Sequence, residues 1–480
     1  VGGTAWAASL RRNSAARRFI YPATKMQAQL PRRVAGRPVI GHLMEFRANR
    51  TAVQLRTARS HPDAAKLRLG VFDVVMVSSP AMAHDILATQ AEAFTKSLGL
   101  SVFLRPILGD GLLTSERENH TRQRRLIAPA FTLKRIAAYA ATMGARAQQA
   151  LGALREGDRI DASELMMRLT LEIVGKTLFD AEVGTDAEAV GDAITEVMQN
   201  TIQTLSSIVP VPPRVPTPRN LRSRRARAKL DAIIYRLIAA RRASPGDRGD
   251  VLSILLAARD EDGTTMTDEQ VRDEAMTLFL AGHETTANAM AWAIYLLAKN
   301  PAVRARAEQE TAHLAGRTDP VTHEDLKALP YTLAILKETI RLYPPVYVMG
   351  RRSSREVVVR GAEGGGDTRV PKHTNVLINV LGIHRRPELY PDPDRFDPER
   401  FLGDREKQLG KCAYMPFGDG PRVCIGNHFA LMEGHIILAT LLASRRLDLD
   451  RPQERIATEP LITLRPRGGV PVRVSSRPRG

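Results

Sequence analysis

The run Phe417-Gly418-Asp419-Gly420-Pro421-Arg422-Val423-Cys424-Ile425-Gly426 carries one cysteine out of a glycine-rich loop and into an apolar helix that starts at Asn427. A thiolate stays deprotonated only in electropositive surroundings, and the start of a helix supplies them through its free amide N–H groups and its dipole. Gly418 and Gly420 permit tight backbone geometry with amides aimed at one centre. Gly426 has no side chain, so the helix can approach something large and flat. Arg422, two residues before the cysteine, can reach an anionic group on that object. The object implied is haem with Cys424 as its axial ligand, and thiolate ligation pushes electron density onto iron and favours O–O cleavage.

Length admits more than one domain, since 480 residues would make three at about 150 residues each. No linker of suitable composition divides the chain, however. Hydrophobic residues make up 43% and charged residues 25%, an ordinary globular balance. Cys412 and Cys424 are the only cysteines, so no disulfide framework exists and a reducing, cytoplasmic setting is expected. Cys412 reads as a packing residue. No uninterrupted apolar stretch approaches the roughly 18 residues of a membrane span. The net charge of +18 suits nucleic acid, an anionic membrane or an acidic protein. Aromatics are only 5% and no nucleic-acid motif accompanies the charge, so no nucleic-acid partner is expected. An acidic redox protein fits the haem loop best, and a general solubility charge is the competing reading.

Before Glu45 the chain has no acidic residue, yet it carries Arg11, Arg12, Arg17, Arg18, Lys25, Arg32, Arg33 and Arg37. Such a start is similar to an organelle transit peptide. The competing reading is a disordered or mis-assigned leader, and residues 1–29 are set apart as a basic extension. Residues 65–77 alternate and are rich in β-branched side chains around Gly70, which predicts a short β region. Helical periodicity predicts segments near 135–155, 161–180 and 186–205; Pro210, Pro212, Pro213, Pro216 and Pro218 then break helix formation. Arg219, Arg222, Arg224, Arg225, Arg227 and Lys229 follow, read as a solvated helix face with membrane-surface contact as the alternative. A last β region is expected from Leu461–Leu464 to Val470–Val474.

Thr267 and Gln270 form a capping-box pattern that opens a long apolar helix through about Lys299. Inside it lies Ala281-Gly282-His283-Glu284-Thr285-Thr286. Glycine at 282 removes bulk and a threonine can bond a local carbonyl, so the helix is expected to open and bend here, leaving room for dioxygen and water. Glu284 and Thr285 form an acid–alcohol pair suited to relaying protons, whereas His283 reads as structural. Glu338 and Arg341 at i,i+3 share a helix face, as do His120 and Arg124 at i,i+4.

These runs resemble the cytochrome P450 family. Phe417–Gly426 fills every fixed position of the family's Phe-Gly-x-Gly-x-Arg-x-Cys-x-Gly, and Ala281–Thr286 fills its Ala/Gly-Gly-x-Asp/Glu-Thr-Thr. Glu338-Thr339-Ile340-Arg341 matches Glu-x-x-Arg, Pro398-Glu399-Arg400-Phe401 matches Pro-Glu-Arg-Phe, and His120 to Arg124 is similar to the His-x-x-x-Arg of bacterial members. The resemblance covers about residues 30–474 and implies one large haem domain over 30–480, mainly α with a minor β region. It implies haem b (iron protoporphyrin IX) on the Cys424 thiolate. His120, Arg124, Arg351 and Arg422 would meet the propionates, with Arg352 leaving the register of Arg351 open. Ala281, Gly282, Phe417 and Gly426 would border the haem, and a buried Glu338–Arg341–Arg400 cluster would hold the region behind the loop.

The activity implied is insertion of one oxygen atom of O2 into an apolar organic substrate, by hydroxylation or epoxidation, with protons passing through Thr285 and Glu284. No flavin, nicotinamide or iron–sulfur module follows the last β segment, so electrons are expected from an acidic ferredoxin or flavodoxin and its NAD(P)H reductase. The resemblance is to soluble bacterial members, a monomer without a transmembrane anchor, with peripheral membrane contact left open. A peroxide-dependent hydroxylase or isomerase on the same fold, or a non-catalytic haem-binding sensor, are the competing readings; the intact Glu284-Thr285 pair speaks against both. The pocket implied draws on residues 88–112, 190–225, Leu278 to Thr285, Val346-Tyr347-Val348 and Thr458 to Ile462. Phe94, Leu98, Leu100, Val102, Phe103, Leu104, Ile107 and Leu108 make it mostly apolar.

Overall fold

One helix organises the rest. Asp268–Lys299 runs for 32 residues and is buried on nearly every face from Val271 to Leu297, the signature of a helix enclosed by its own protein. The expected capping box opens it: Gln270 N–H donates to Thr267 Oγ1 at 3.2 Å, and Thr267 N–H donates to Gln270 Oε1 at 3.0 Å. The computed structural model describes residues 28–476 apart from 183–186, 206, 208–210, 212, 245, 261–262 and 363–365. The basic extension therefore lies outside the described residues but for its last two positions, as do Pro210 and Pro212 of the proline-rich break.

Within the described residues the α-helices are α1 (Leu43–Ala48), α2 (Arg50–Ser60), α3 (Pro80–His84), α4 (Arg105–Leu108), α5 (Arg117–Ile127), α6 (Leu133–Gly152), α7 (Ala162–Phe179) and α8 (Ala187–Leu205). They continue as α9 (Pro218–Ala243), α10 (Val251–Ala257), α11 (Asp268–Lys299), α12 (Pro301–Glu310), α13 (Pro330–Leu342), α14 (Val380–Ile383) and α15 (Asn427–Ser444). The central α11 packs against α7, α9, α13 and α15, and α15 packs in turn on α6. No described helix is long and apolar enough to cross a membrane.

The β structure is minor. A six-stranded sheet orders β1 (Arg32–Arg33), β2 (Ala64–Leu69), β3 (Phe72–Val77), β9 (Asn375–Ile378), β6 (Met349–Ser353) and β4 (Phe94–Lys96). As expected, β2 and β3 form a hairpin about Gly70, whose φ of 64° is the left-handed conformation such a turn favours. A second sheet orders β10 (Arg445–Leu449), β13 (Pro471–Ser476) and β5 (Arg159–Asp161). Two-stranded ribbons pair β7 (Val357–Val359) with β8 (Thr368–Val370), and β11 (Thr458–Pro460) with β12 (Leu464–Pro466). The strand expected from Leu461 is corrected here. Leu461–Thr463 forms the bend between β11 and β12, with Leu461 N–H donating to the carbonyls of Glu459 and Thr463 at 3.0 Å each.

Behind the cysteine loop sits the expected charge cluster. Arg341 Nε and Nη2 donate to the two Glu338 oxygens at 2.6 and 2.8 Å, and both side chains are fully enclosed. Arg341 Nη1 donates to the carbonyls of His384 and Pro393 at 2.8 Å each, which ties α13 to the segments that follow α14. Arg400 Nε lies 3.5 Å from Glu338, and Asp397 N–H donates to the same carboxylate at 2.9 Å. Replacing Glu338 by glutamine strands the arginine charge out of water. We expect Glu338→Gln to cost about 3–5 kcal/mol of stability, read as a lowered urea midpoint with an unchanged denaturant slope.

Candidate active site

Local geometry explains how the loop presents its cysteine. Gly420 has φ of 69°, and a Cβ there would lie 2.0 Å from the Leu87 carbonyl oxygen, so only glycine permits this approach. Cys424 N–H donates to the Phe417 carbonyl at 2.9 Å, closing the loop across its base. Arg124 Nη1 donates to the Val423 carbonyl at 2.7 Å, fastening α5 to the residue before the cysteine. Cys424 is exposed, whereas Cys412 is buried. Burial of the neighbourhood pushes the Cys424 thiol up, while the Gly426 amide and the Arg124 guanidinium pull it down; a bound metal ion removes such a proton outright.

Positive charge converges next to this loop. His120 is buried on α5, and desolvation together with Arg422, Lys96, Arg124 and Arg351 pushes it down to about 3. Arg351 is pushed down to about 10 by burial and by Arg422. Burial and Arg422 likewise push Lys96 down to about 7. The sheet register sets Lys96 of β4 directly opposite Arg351 of β6, where like charges repel. Glu116 answers part of this charge through its ion pair with Arg422, whose Nη1 also donates to the Ser115 carbonyl at 3.1 Å. The remainder calls for an anion. The sequence left Arg351 and Arg352 unresolved; adjacent strand residues face opposite ways. Arg352 Nε donates to the His373 carbonyl on the exposed side at 3.3 Å, which leaves Arg351 with the cluster. Lys96 was not singled out from the sequence, where nothing sets it apart among 70 lysines and arginines. Its burial opposite Arg351 is a product of the fold.

The α11 segment departs from expectation in two respects. The helix continues without a break through Ala281–Thr286. The room attributed to Gly282 is used against α7, because a Cβ there would meet Val174 Cγ2 at 3.1 Å. As expected, a threonine bonds a local carbonyl, while Glu284 is held by distant partners. Thr285 Oγ1 donates to the Ala281 carbonyl at 2.9 Å. Glu284 is enclosed, and its Oε1 accepts from Thr463 Oγ1 at 2.5 Å and from Arg465 Nε and Nη2 at 2.9 and 2.7 Å. Its Oε2 is buried without a partner among the described residues. Asn288 donates to Thr463 at 3.1 Å and extends the network. Sequence reading missed Thr463 and Arg465, which lie about 180 residues from Glu284. Even so, Ala281 is exposed and Thr285 half-buried, so one face of this enclosed helix borders open space.

An accessible thiol before a helix N-terminus, buried cations in excess beside it, and small residues on the one open face of α11 together fit a thiolate-bound, doubly anionic haem. The family model for cytochrome P450 matches residues 31–471. The chain belongs to the cytochrome P450 family. It is 36% identical to cyclooctat-9-en-7-ol 5-monooxygenase from Streptomyces melanosporofaciens, an alignment covering 85% of this chain and 88% of the relative. Pentalenene oxygenase from Streptomyces avermitilis is 31% identical, with 89% of this chain and 92% of that protein covered. The solved structure of retinoic acid-bound cyanobacterial CYP120A1 has a TM-score of 0.81 at 27% identity, covering 94% of this chain and 100% of that one. The P450 fold and a monooxygenase activity follow from these likenesses, and the family carries haem on a cysteine thiolate.

Lys96 generates a pH signature in the haem-free protein. Its folded value of about 7 lies below the ordinary 10.5, so between these the unfolded chain binds the extra proton and stability rises with pH. Lys96→Met should flatten that rise, measured as the difference in urea midpoint between about pH 7 and about pH 9.5.

Proposed function

We propose that the chain holds haem b on Cys424 and inserts one oxygen atom of O2 into an apolar, terpenoid-sized substrate. The observation that carries this reading is the pairing of an accessible loop cysteine with a desolvated cation cluster. Of the two cysteines, Cys412 is buried with its sulfur 3.2 Å from Asp419, whereas Cys424 is exposed at the start of α15. His120, Arg124, Arg351 and Arg422 are the proposed propionate partners, joined by Lys96. Thiolate-bound haem, when present, supplies the dioxygen chemistry and the oxidising power.

The chain's own residues bind, orient and move protons. The Thr285 hydroxyl sits on the open face of α11 and already holds a hydrogen bond to Ala281 O; rotated off that carbonyl, it can donate into the site. Glu284 is next in sequence, and its unpartnered Oε2 is the atom available to take up and pass on a proton. Arg465 and Thr463 fix the other oxygen and so hold the carboxylate in place. Leu104, Ile107, Leu108 and Leu278 are buried and supply apolar surface on the stretches assigned to the pocket. A terpenoid is favoured because the two Streptomyces relatives are named for oxidation of terpene-derived skeletons and the structural neighbour holds retinoic acid. Electrons are proposed to come from an acidic ferredoxin or flavodoxin with its NAD(P)H reductase. The net charge is +18, and Arg117, Lys134 and Lys411 are exposed on segments that flank the cysteine loop.

Reduced protein exposed to carbon monoxide should show the red-displaced absorption of sulfur-ligated ferrous haem; Cys424→Ala should lose it and Cys412→Ser should keep it. The opposite pattern would reassign the ligand. A panel of diterpene and sesquiterpene alcohols should include compounds that move the Soret band from low spin to high spin. Thr285→Ala should leave that shift intact but lower product formed per electron consumed, within the roughly 10²–10⁴-fold worth of a positioned proton donor.

A further inference from the structure

Outside the site just described, three side chains with metal-binding atoms meet at one point. His84 at the end of α3, Cys412, and Asp419 within the cysteine loop have ligand atoms all within 4.8 Å of one another, the one such group of three among the described residues. Asp419 Oδ2 is the shared centre, 2.6 Å from His84 Nδ1 and 3.2 Å from Cys412 Sγ. Its other oxygen accepts from Gly420 N–H at 2.8 Å, so the carboxylate is already held by the loop. We propose that His84, Cys412 and Asp419 form a binding site for one zinc ion that fastens the cysteine loop to α3.

The chemistry of the donor set selects the ion. A thiolate with an imidazole and a carboxylate is a borderline-soft set that suits zinc and disfavours magnesium or calcium. On binding, the Cys412 thiol releases its proton to solvent and the His84 proton moves to Nε2, which frees the Nδ1 lone pair. The two anionic ligands then balance the dication, and no oxidant or reductant is required. Zinc bonds of about 2.0–2.3 Å in a tetrahedron hold ligand atoms about 3–4 Å apart. The His84–Asp419 contact must therefore widen and the widest separation must close, both within side-chain rotation. His84 and Asp419 keep 26% and 33% of their side-chain surface exposed, which gives the ion a path in and leaves a fourth position for water. Beside it, Gly420 lies against Leu87 of the turn that follows α3. The ion would thus close a second bond across a contact the backbone already makes.

The test uses the haem-loaded full chain, stripped with a chelator, desalted and titrated with zinc alone. Metal analysis should find one zinc per chain in addition to iron, and competition against a chromophoric chelator should show affinity falling by about 100-fold or more in His84→Ala and in Cys412→Ser. Zinc-edge X-ray absorption of the parent protein should show one sulfur among nitrogen and oxygen neighbours, a readout that holds even if a variant fails to load haem. Absence of retained zinc, a sulfur-free shell, or affinity unchanged in His84→Ala would overturn the proposal and leave the trio as a hydrogen-bonded contact.

Discussion

Positive charge withdrawn from water must be answered, and in this chain the answer is incomplete. Arg422 and Arg351 push Lys96 down, all three push His120 down, and the acid Glu116 is paired with Arg422. Sheet and helix both serve this arrangement. The β4–β6 register sets two cations face to face, and α5 brings the uncharged His120 beside them while its Arg124 grips the loop. Such a cluster is costly in the bare protein and becomes favourable when a dianion enters. Cofactor binding and local stability are therefore the same quantity seen from two sides.

The oxygen side of the site follows a different logic. There the scarce element is a mobile proton carrier, and the structure holds its acid tightly. Three donors converge on one Glu284 oxygen, and the other is buried without a partner among the described residues. A bare buried carboxylate oxygen is a costly atom. In the proposed reading, that unmet demand, one residue before a threonine on the open face of α11, is what a proton path would use.

The local parts of this molecule were legible in the sequence and the distant pairings were not. Thr267 and Gln270 marked the start of α11, and the β2–β3 hairpin announced itself through alternation and Gly70. The loop around Cys424 was legible because its glycines and arginine sit at fixed short spacings. By contrast, Lys96 faces Arg351 and Arg465 grips Glu284 across 255 and 181 residues of chain, and no local pattern distinguishes them from solvated basic residues. Gly282 is a milder case: the glycine was noticed, but its reason is Val174 on a neighbouring helix. Cys412, read as packing, is buried as expected, yet its sulfur also meets a carboxylate that only the folded loop brings near.

The bend at Leu461–Thr463 joins two tasks that are usually discussed apart. The family resemblance implies a substrate-pocket role for residues 458–462, while Thr463 and Arg465, one and three positions further on, bond the acid of α11. If the proposed pocket and proton path hold, remodelling this ribbon to admit a new molecule would also perturb the acid it restrains. Diversification should be tolerated at the tip and resisted just past it, so a lineage adapting to unfamiliar compounds would vary 461 and 462 freely while its hydroxyl and guanidinium stayed put.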